Sequence, residues 1–285
     1  MIDLIKHRLE SYQSANSLAE QQALKEIIQE VCLYALWRAK FFEMAAFQGG
    51  TSLRILHQLP RFSEDLDFIL LKKMDSFEWQ PYLNIILETF TTFGLTTEVQ
   101  DKSRLDQRIR KAVIKNDSVV NQFNFSFPYD KRQKIKIKLE VDIHPPAYSL
   151  FEYKFLSFPL DFEVCHQDLA SNMALKIHAL LCRPYTKGRD WFDFSWYIAN
   201  GTKPNLKHLE AALQQFGPFQ NQSIKVDDQW LENALREKIQ SIDWQDAVRD
   251  VEGFLGKLQR ETLALWSGWF FEKKIEHLTQ KNVGE

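Results

Sequence analysis

The stretch from Phe47 to Leu70, FQGGTSLRILHQLPRFSEDLDFIL, constrains the fold of this chain more than any other. It opens on a Gly-Gly pair, continues through a segment that predicts a short helix ending near Pro60, and closes on Asp65 and Asp67 before an apolar run. Because successive side chains of a strand alternate between its two faces, both carboxylates are expected on one face. The stretch therefore predicts a helix followed by a buried strand that begins with two acidic side chains.

This pattern suits a site that binds a metal and a phosphate together. Two carboxylates on one strand face provide oxygen ligands for hard divalent cations such as Mg²⁺. Gly49 and Gly50 allow the backbone to approach a ligand closely. Thr51 or Ser52 can cap the following helix, and the N–H groups at a helix N-terminus favour a phosphate. These features are typical of phosphoryl or nucleotidyl transfer, whereas the structural alternative is a glycine turn followed by a solvated strand end.

The same motif carries a family resemblance. Gly-Gly, a short helix and Asp-x-Asp on a strand resemble the signature of the nucleotidyltransferase superfamily that includes polymerase beta. The longer motif, GGTSL followed by RFSEDLDF, resembles that of the AbiEii/AbiGii-type toxins of bacterial toxin–antitoxin and phage-defence systems. The resemblance implies an NTP as substrate and two Mg²⁺ ions, held by Asp65, Asp67 and a third carboxylate.

A later strand offers two candidates for that third carboxylate. Apolar residues alternate without a break from Ile135 to Ile143, and a Pro-Pro pair ends the run. The opposite face of this predicted strand carries Glu140 and Asp142, two residues apart. The resemblance requires an acid on a strand beside the Asp-x-Asp strand, which Glu140 or Asp142 can supply. The alternative is that both form the polar face of a half-buried strand.

A second block lies on two predicted helices. From Asp168, a plausible N-cap, apolar residues recur at helical spacing, and Lys176 falls within their stripe. A lysine there is costly unless its ammonium meets an acid or a phosphate. The next helix, RDWFDFSWYIAN, carries Asp190 and Asp193 on one face. The segments ALKIHALLCR and GRDWFDFSW are similar to the second sequence signature of the same family. Together the two signatures extend the resemblance over roughly residues 46 to 200.

The resemblance assigns roles to these residues. Asp65, Asp67 and Glu140 are expected to bind metal, and Glu140 or Asp142 to help deprotonate the attacking hydroxyl. Lys176 is expected to neutralise the triphosphate, while Asp190 either holds Lys176 or acts as a base. The expected nucleotide-binding residues are Gly49, Gly50, Thr51, Ser52, Arg61, Ser63, Lys176, Arg189 and Asp193.

Composition sets outer limits. The chain has 285 residues, a net charge of −2 and three cysteines without metal spacing, which favours a reducing, cytoplasmic location. Its apolar runs are too short for a membrane span, and the N-terminus lacks the apolar block of a signal peptide. The histidines are scattered without ligand spacing, so a zinc site is not expected.

Basic residues gather locally despite the acidic total. They lie between residues 102 and 115, between 131 and 138, and between 183 and 189. Such patches can bind phosphates, although solvated faces are an equally good interpretation. The first group comprises Lys102, Arg104, Arg108, Arg110, Lys111 and Lys115; the second, Lys131, Arg132, Lys134, Lys136 and Lys138; the third, Arg183, Lys187 and Arg189.

These observations predict an α+β fold. A mixed sheet with flanking helices is expected to form a nucleotidyltransferase domain over residues 1–160, in which residues 1–45 are predicted to be helical. A helical domain over 161–285 is expected to contribute Lys176 and the Asp190 region to a cleft. Further strands are predicted at 95–100 and 119–127, and the basic segment between them is open to strand or loop. Tail helices are predicted near 206–215, 228–240 and 244–277, where tryptophans fit core packing and, if exposed, base stacking.

The function expected from the resemblance is Mg²⁺-dependent transfer of a nucleotidyl group from an NTP to an acceptor hydroxyl. A toxin acting on tRNA and neutralised by a cognate antitoxin is the specific form. The alternatives are a nucleotidyltransferase that modifies a protein or small molecule, a non-catalytic NTP- or partner-binding module, and a basic RNA-binding protein.

Overall fold

The computed structural model describes residues 1–104, 106–116, 125–128 and 135–279, which divide into two compact units. Unit 1 comprises Met1–Gln58, Phe62–Pro145 and Phe151–His166. Unit 2 comprises Leu59–Arg61, Pro146–Leu150 and the chain from Gln167 onward. The first unit is built on a sheet and the second on helices, so the predicted α+β class is confirmed.

A seven-stranded sheet forms the centre of unit 1, in the order β3-β4-β5-β2-β1-β7-β6. The sheet is mixed: β2 runs parallel to β5 and antiparallel to β1, while β4 is antiparallel to both of its neighbours. The strands are β1 (Ala45–Gln48), β2 (Leu66–Leu70), β3 (Thr97–Asp101), β4 (Ile109–Asn116), β5 (Ile135–Asp142), β6 (Phe151–Leu156) and β7 (Phe162–Gln167).

In the described part of unit 1, four α-helices accompany the sheet: α1 (Ile2–Ser11), α2 (Ser17–Arg38), α3 (Gly49–His57) and α4 (Gln80–Thr92). An aromatic cluster fixes the strand that carries Asp67. Phe68 of β2 packs edge-on against Phe41 at a centroid distance of 5.0 Å, and Phe41 stacks on Trp79 at 5.5 Å. Since Phe68 points into this core, its neighbour Asp67 must point to the other face of the sheet.

Unit 2 consists mainly of α5 (Leu169–Cys182), α6 (Gly188–Ala199), α7 (Leu206–Gln215), α8 (Asp228–Gln240), α9 (Trp244–Glu252), α10 (Lys257–Thr262) and α11 (Gly268–Thr279). Asp168 caps α5, as predicted, by accepting a 2.8 Å hydrogen bond from the backbone N–H of Ser171. Trp244 stacks on Phe271 with ring centroids 4.4 Å apart, and Trp191 packs edge-on against the same ring. Trp191 is buried in the core and Trp244 is partly buried, whereas Trp269 is exposed.

The structure corrects several predicted elements of unit 1. The helix predicted through the end of the N-terminal region stops at Arg38, and β1 follows. The open basic segment contains strand β4, and β6 and β7 are strands that the sequence analysis did not predict. Of the strand predicted at 119–127, residues 119–124 lie outside the described residues, and the remainder belongs to no strand.

In unit 2, the helix predicted at 244–277 is three helices. Gly253 ends α9, Gly256 precedes α10, and α11 begins at Gly268. Glycine disfavours a helix interior because its backbone loses the most conformational freedom on ordering. Within the described parts of both units, no helix is long and apolar enough to cross a membrane.

Candidate active site

Asp67 and Glu140 are direct neighbours on adjacent strands. The parallel register of β2 and β5 pairs Asp67 with Glu140 and Leu66 with Leu139. Directly paired residues project to the same face of a sheet, so the two carboxylates share one face. The leucines project to the other face and are fully buried. Burial of the apolar face therefore fixes the register that brings the two acids together.

Asp65 lies on this acidic face too, immediately before β2. Its Oδ1 is 3.8 Å from Nζ of Lys138, which is two residues before Glu140 on β5 and therefore shares its face. Burial raises the pKa of Asp65, and Lys138 offsets this only in part. The protein thus leaves the ionised form of this carboxylate incompletely stabilised, which is the condition that a bound cation relieves.

Gly49 brings the start of α3 against Asp67. Its φ is +76°, a conformation that favours glycine, and a Cβ built there would lie only 2.8 Å from Oδ2 of Asp67. The cause is the antiparallel pairing of Gln48 with Asp67, which places the next residue directly beside the carboxylate. The first glycine of the Gly-Gly pair is therefore required for both its backbone conformation and its lack of a side chain.

The hydroxyl groups near this point are used internally. Because α3 begins at Gly49, with Gln48 as N-cap, Thr51 and Ser52 lie inside its first turn, and the prediction that either caps it is wrong. Thr51 donates to the carbonyl of Asp65 and lies 2.9 Å from the hydroxyl of Ser63, while Ser52 donates to the carbonyl of Gly49. A phosphate placed at this turn would therefore meet backbone N–H groups rather than these hydroxyls.

The two candidates for the third carboxylate differ in their partners. Asp142 is buried and held by both Nε and Nη2 of Arg108, and its Oδ1 also accepts a hydrogen bond from the backbone N–H of His144. Glu140 receives a single 3.0 Å contact from Lys111, a half-exposed side chain. A carboxylate bound at both oxygens by a guanidinium is poorly available to a metal. The geometry favours Glu140.

The donor set of the acidic face fits a hard cation. Asp65, Asp67 and Glu140 offer only carboxylate oxygens, the ligands that Mg²⁺ prefers. In the described part of the chain, however, no three His, Cys, Asp or Glu side chains are close enough together to hold a metal ion. Lysines 111 and 138 instead contact the outer carboxylates Glu140 and Asp65. The three carboxylates thus have the chemistry that Mg²⁺ requires and lie on one face of the sheet. In this structure the ammonium groups of the two lysines balance part of their negative charge.

A second charged cluster lies within unit 2 and centres on Lys176. Its Nζ is 2.8 Å from Oδ1 of Asp190 and 2.9 Å from Oδ2 of Asp193. Asp193 also accepts two 2.6 Å hydrogen bonds from Arg61, and Asp190 lies 3.1 Å from Arg183. All but Arg183 are nearly or fully buried. The lysine in the apolar stripe therefore has the acidic partners that its burial demands.

Asp190 is held in its charged form. Burial alone would raise the pKa of Asp190, but the ammonium of Lys176, followed by Arg183 and Lys187, outweighs it and lowers the pKa to about 2. A group with so low a pKa is a weak proton acceptor near neutral pH. Of the two roles open to Asp190, the structure favours holding Lys176 over acting as a base.

Arg61 and Arg189 are also committed to protein partners. Arg61 is 3% exposed, and its bidentate pair with Asp193 would have to break before the guanidinium could bind a phosphate. Arg189 lies over the ring of Phe254 at 4.3 Å, and its Nε is 3.5 Å from Asp250. Both arginines act as packing and charge partners within unit 2 as it stands.

The chain matches the profile of the family described as nucleotidyl transferase AbiEii toxin of type IV toxin–antitoxin systems, over residues 31–275. The match spans well over half of the 285 residues. The chain belongs to the AbiEii family. As a member it is a nucleotidyltransferase of a type IV toxin–antitoxin system, which implies an NTP substrate and an antitoxin partner. The resemblance seen in the sequence is confirmed.

Solved structures similar to this AbiEii chain include a candidate nucleotidyltransferase from H. pylori and JHP933 from Helicobacter pylori. The first is 17% identical, with a TM-score of 0.49, and the alignment covers 91% of this chain and 92% of the other. The second is also 17% identical, with a TM-score of 0.48 and coverages of 91% and 89%. No protein of curated function matches the chain.

Three cations that contact candidate acidic residues were not predicted as their partners from the sequence: two lie in unit 1 and one in unit 2. Lys111 and Lys138 pair with Glu140 and Asp65, and Arg183 completes the surroundings of Asp190. All three fall in the basic groups seen in the sequence, but the sequence alone does not show which members meet an acid. Strand register and helix packing supply that information.

Replacing Gly49 by alanine should displace Asp67. We expect nucleotidyl transfer to fall about 10²-fold, as for a misplacement of roughly 1 Å, and the free energy of unfolding to fall by about 1–2 kcal/mol because φ is positive. Gly94→Ala is a matched control: its φ is also +76°, but the nearest side-chain atom to its Cβ is 3.8 Å away. Steady-state kinetics and urea unfolding of both variants test this. Equal activity in the two would show that the contact with Asp67 is unimportant.

Proposed function

We propose that this AbiEii-family toxin uses Mg²⁺ to transfer a nucleotidyl group from an NTP to a hydroxyl group of tRNA. The observation that carries the proposal is the in-register pairing of Asp67 with Glu140, next to Gly49 at the start of α3. Carboxylates beside a helix N-terminus suit a triphosphate that arrives with its metal. The proposal includes a cytoplasmic role in phage defence, because a toxin that modifies tRNA would stop translation there.

The residues of the acidic face have distinct roles in this proposal. Asp65, Asp67 and Glu140 would hold two Mg²⁺ ions. Bound Mg²⁺ supplies charge neutralisation at the attacking and leaving oxygens. The backbone N–H groups at the start of α3, from Gly50 onward, orient the outer phosphates. Positioning and charge account for most of phosphoryl-transfer catalysis, so these contacts suffice for the chain's part.

Lys176 has the role of neutralising the triphosphate. Burial alone would lower the pKa of Lys176, but Asp190 and Asp193 raise it above its usual value, so the ammonium stays charged. Asp190 then acts as a positioning residue that fixes the direction of the ammonium through its 2.8 Å contact. An incoming phosphate would add a third anionic partner to Lys176 without a change in its protonation.

Four lysines on the acidic face support a polyanionic acceptor. Lys111 of β4 pairs in register with Glu140, and Lys115 pairs with Lys136. Lys138 shares the face with Lys136 on β5, because the two are two residues apart. We call this group of four lysines the lysine face. It lies on the same side of the sheet as the carboxylates and is continuous with them along β4 and β5. Its spacing and exposure suit a nucleic-acid backbone, whose affinity is dominated by phosphate contacts.

Two other basic residues of the first sequence group, Arg108 and Arg110, have structural roles. Arg108 holds Asp142, and Arg110 is buried and donates to the carbonyls of Arg104 and Asp75. Lys131, Arg132 and Lys134 lie outside the described residues. The lysine face is therefore the part of these groups that supports RNA binding.

Each of the variants Lys115→Gln and Lys136→Gln should bind RNA more weakly and with a smaller dependence of the affinity on salt concentration. Each lost phosphate contact is expected to lower the slope of log K against log salt by about 0.7 for a single strand or 0.9 for a duplex. Both positions are distant from the carboxylates along their strands, so pyrophosphate release from the NTP should persist. Titrations of labelled RNA at several salt concentrations measure the slope for each single variant, with Lys207→Gln in α7 as a control that removes the same single charge. An unchanged slope would exclude this face from RNA binding.

The decisive experiment supplies each labelled NTP with Mg²⁺ to the full chain and separates cellular RNA from protein afterwards. The proposal requires label in the tRNA fraction and pyrophosphate release, both abolished by EDTA and restored by added Mg²⁺. Label in the protein or small-molecule fraction would support the same chemistry on another acceptor. RNA binding without pyrophosphate release would identify a non-catalytic binding module and overturn the proposal.

A further inference from the structure

Strand β6 is the outermost strand of the sheet, next to β7. Among the described residues no strand pairs with its outer side. Tyr153 and Phe155 lie on the same face of β6 and are 60% and 73% exposed. An edge strand presents unpaired N–H and C=O groups, and proteins usually protect it with charges, proline or a covering element. This edge combines exposed aromatic side chains with the exposed charges of Glu152 and Lys154, so a partner strand must match both kinds of position.

The sequence of this edge is symmetric about Tyr153. From Ser149 to Ser157 it reads SLFEYKFLS, the same in both directions except at Glu152 and Lys154. At those two positions the charges are opposite. Two such strands placed antiparallel and centred on Tyr153 would therefore match every residue with its like and each glutamate with a lysine.

We propose that two copies of this chain associate by pairing their β6 strands antiparallel, with a twofold axis at Tyr153. In this register Phe151 of each copy lies opposite Phe155 of the other, and the two tyrosines face each other. Glu152 of each copy lies opposite Lys154 of the other, giving two cross-strand ion pairs. The contact is isologous, as a closed dimer requires, and it joins two seven-stranded sheets into one.

The chemistry of the edge favours a second copy over an unrelated strand. Backbone pairing alone would accept any extended peptide, and side-chain pairs decide between partners. Aromatic pairs and opposite charges directly across a sheet stabilise it, while like charges destabilise it. A slip by one residue would place apolar side chains opposite charged ones, so the symmetric register is the favoured one.

Two single charge reversals test the register. Glu152→Lys and Lys154→Glu each place like charges at both cross-strand positions, and each should raise the dimer dissociation constant about 10-fold or more. An equimolar mixture of the two variants should dimerise again, because each copy then meets the opposite charges of the other. Sedimentation equilibrium measures all three samples. Glu88→Lys in α4 and Lys207→Glu in α7 are controls that change the net charge equally at exposed positions elsewhere.

The mixture separates the interface from folding. Lys154 also donates a hydrogen bond to the carbonyl of Leu56, so Lys154→Glu can cost some stability, which circular dichroism and urea unfolding would register. Loss of dimer that returns on mixing cannot arise from such misfolding. The proposal is overturned if the parent chain is monomeric at about 100 μM, a concentration that populates weak dimers. It is also overturned if the mixture stays monomeric, or if both reversals dimerise as the parent does.

Discussion

Asp67→Ala is expected to abolish nucleotidyl transfer and leave the fold intact. The loss of activity should exceed the roughly 10–100-fold that follows removal of a group hydrogen-bonded to a metal ligand, because Asp67 would itself supply oxygen ligands. The free energy of unfolding should change by no more than about 1 kcal/mol, since Asp67 is only half-buried. Removal of its carboxylate also relieves electrostatic repulsion with the neighbouring Glu140. Labelled-NTP assays and urea unfolding provide the two measurements.

The same variant tests whether toxicity is enzymatic. Expression of the parent chain in a bacterium that lacks the antitoxin should slow growth, and Asp67→Ala should restore it. Glu88→Ala, which removes an exposed carboxylate from α4, should remain toxic. If Asp67→Ala slowed growth as strongly as the parent, harm would come from binding or aggregation, and the catalytic role of Asp67 would be refuted.

Lys176→Met should destabilise unit 2 by about 3 kcal/mol as well as impair transfer. Removal of the ammonium leaves the carboxylates of Asp190 and Asp193 buried with fewer counter-charges, and breaking a buried pair typically costs about 3–5 kcal/mol. The lower end applies because Arg61 and Arg183 remain. Urea unfolding measures the cost, with Lys207→Met, an exposed lysine of α7, as the control.

This cost should depend on pH in a defined direction. The pKa of Asp190 is lowered from 3.8 to about 2, so its ion pairs contribute stability that is present above pH 4 and lost as the pH falls towards 2. The difference between the parent and Lys176→Met should therefore narrow over that range. A difference that stays constant would mean that Lys176 stabilises the unit by packing alone. Transfer lost without any destabilisation would assign Lys176 solely to the nucleotide.

Local sequence rules were sufficient for the parts of the candidate site that lie on one element or directly beside it. Asp65 and Asp67 share a face because strand side chains alternate, and Asp168 caps α5 because its carboxylate can accept from the first turn. The Gly-Gly pair predicted a close backbone approach to a ligand, which stays a prediction, and the structure adds that Gly49 itself lies against the carboxylate of Asp67. The family could also be recognised from the motif between Phe47 and Leu70, because its residues lie in one continuous stretch of sequence.

Tertiary structure decided every question that depends on which elements meet. The alternation on β5 puts Glu140 and Asp142 on one face equally, and only the register with β2 and the position of Arg108 distinguish them. The basic residues likewise divide into buried partners and a lysine face only after β4 is paired. The symmetry of SLFEYKFLS is plain in the sequence, but its meaning depends on β6 lying at the edge of the sheet. Periodicity is a property of neighbours along the chain, whereas pairing is set by the burial of apolar faces between distant segments.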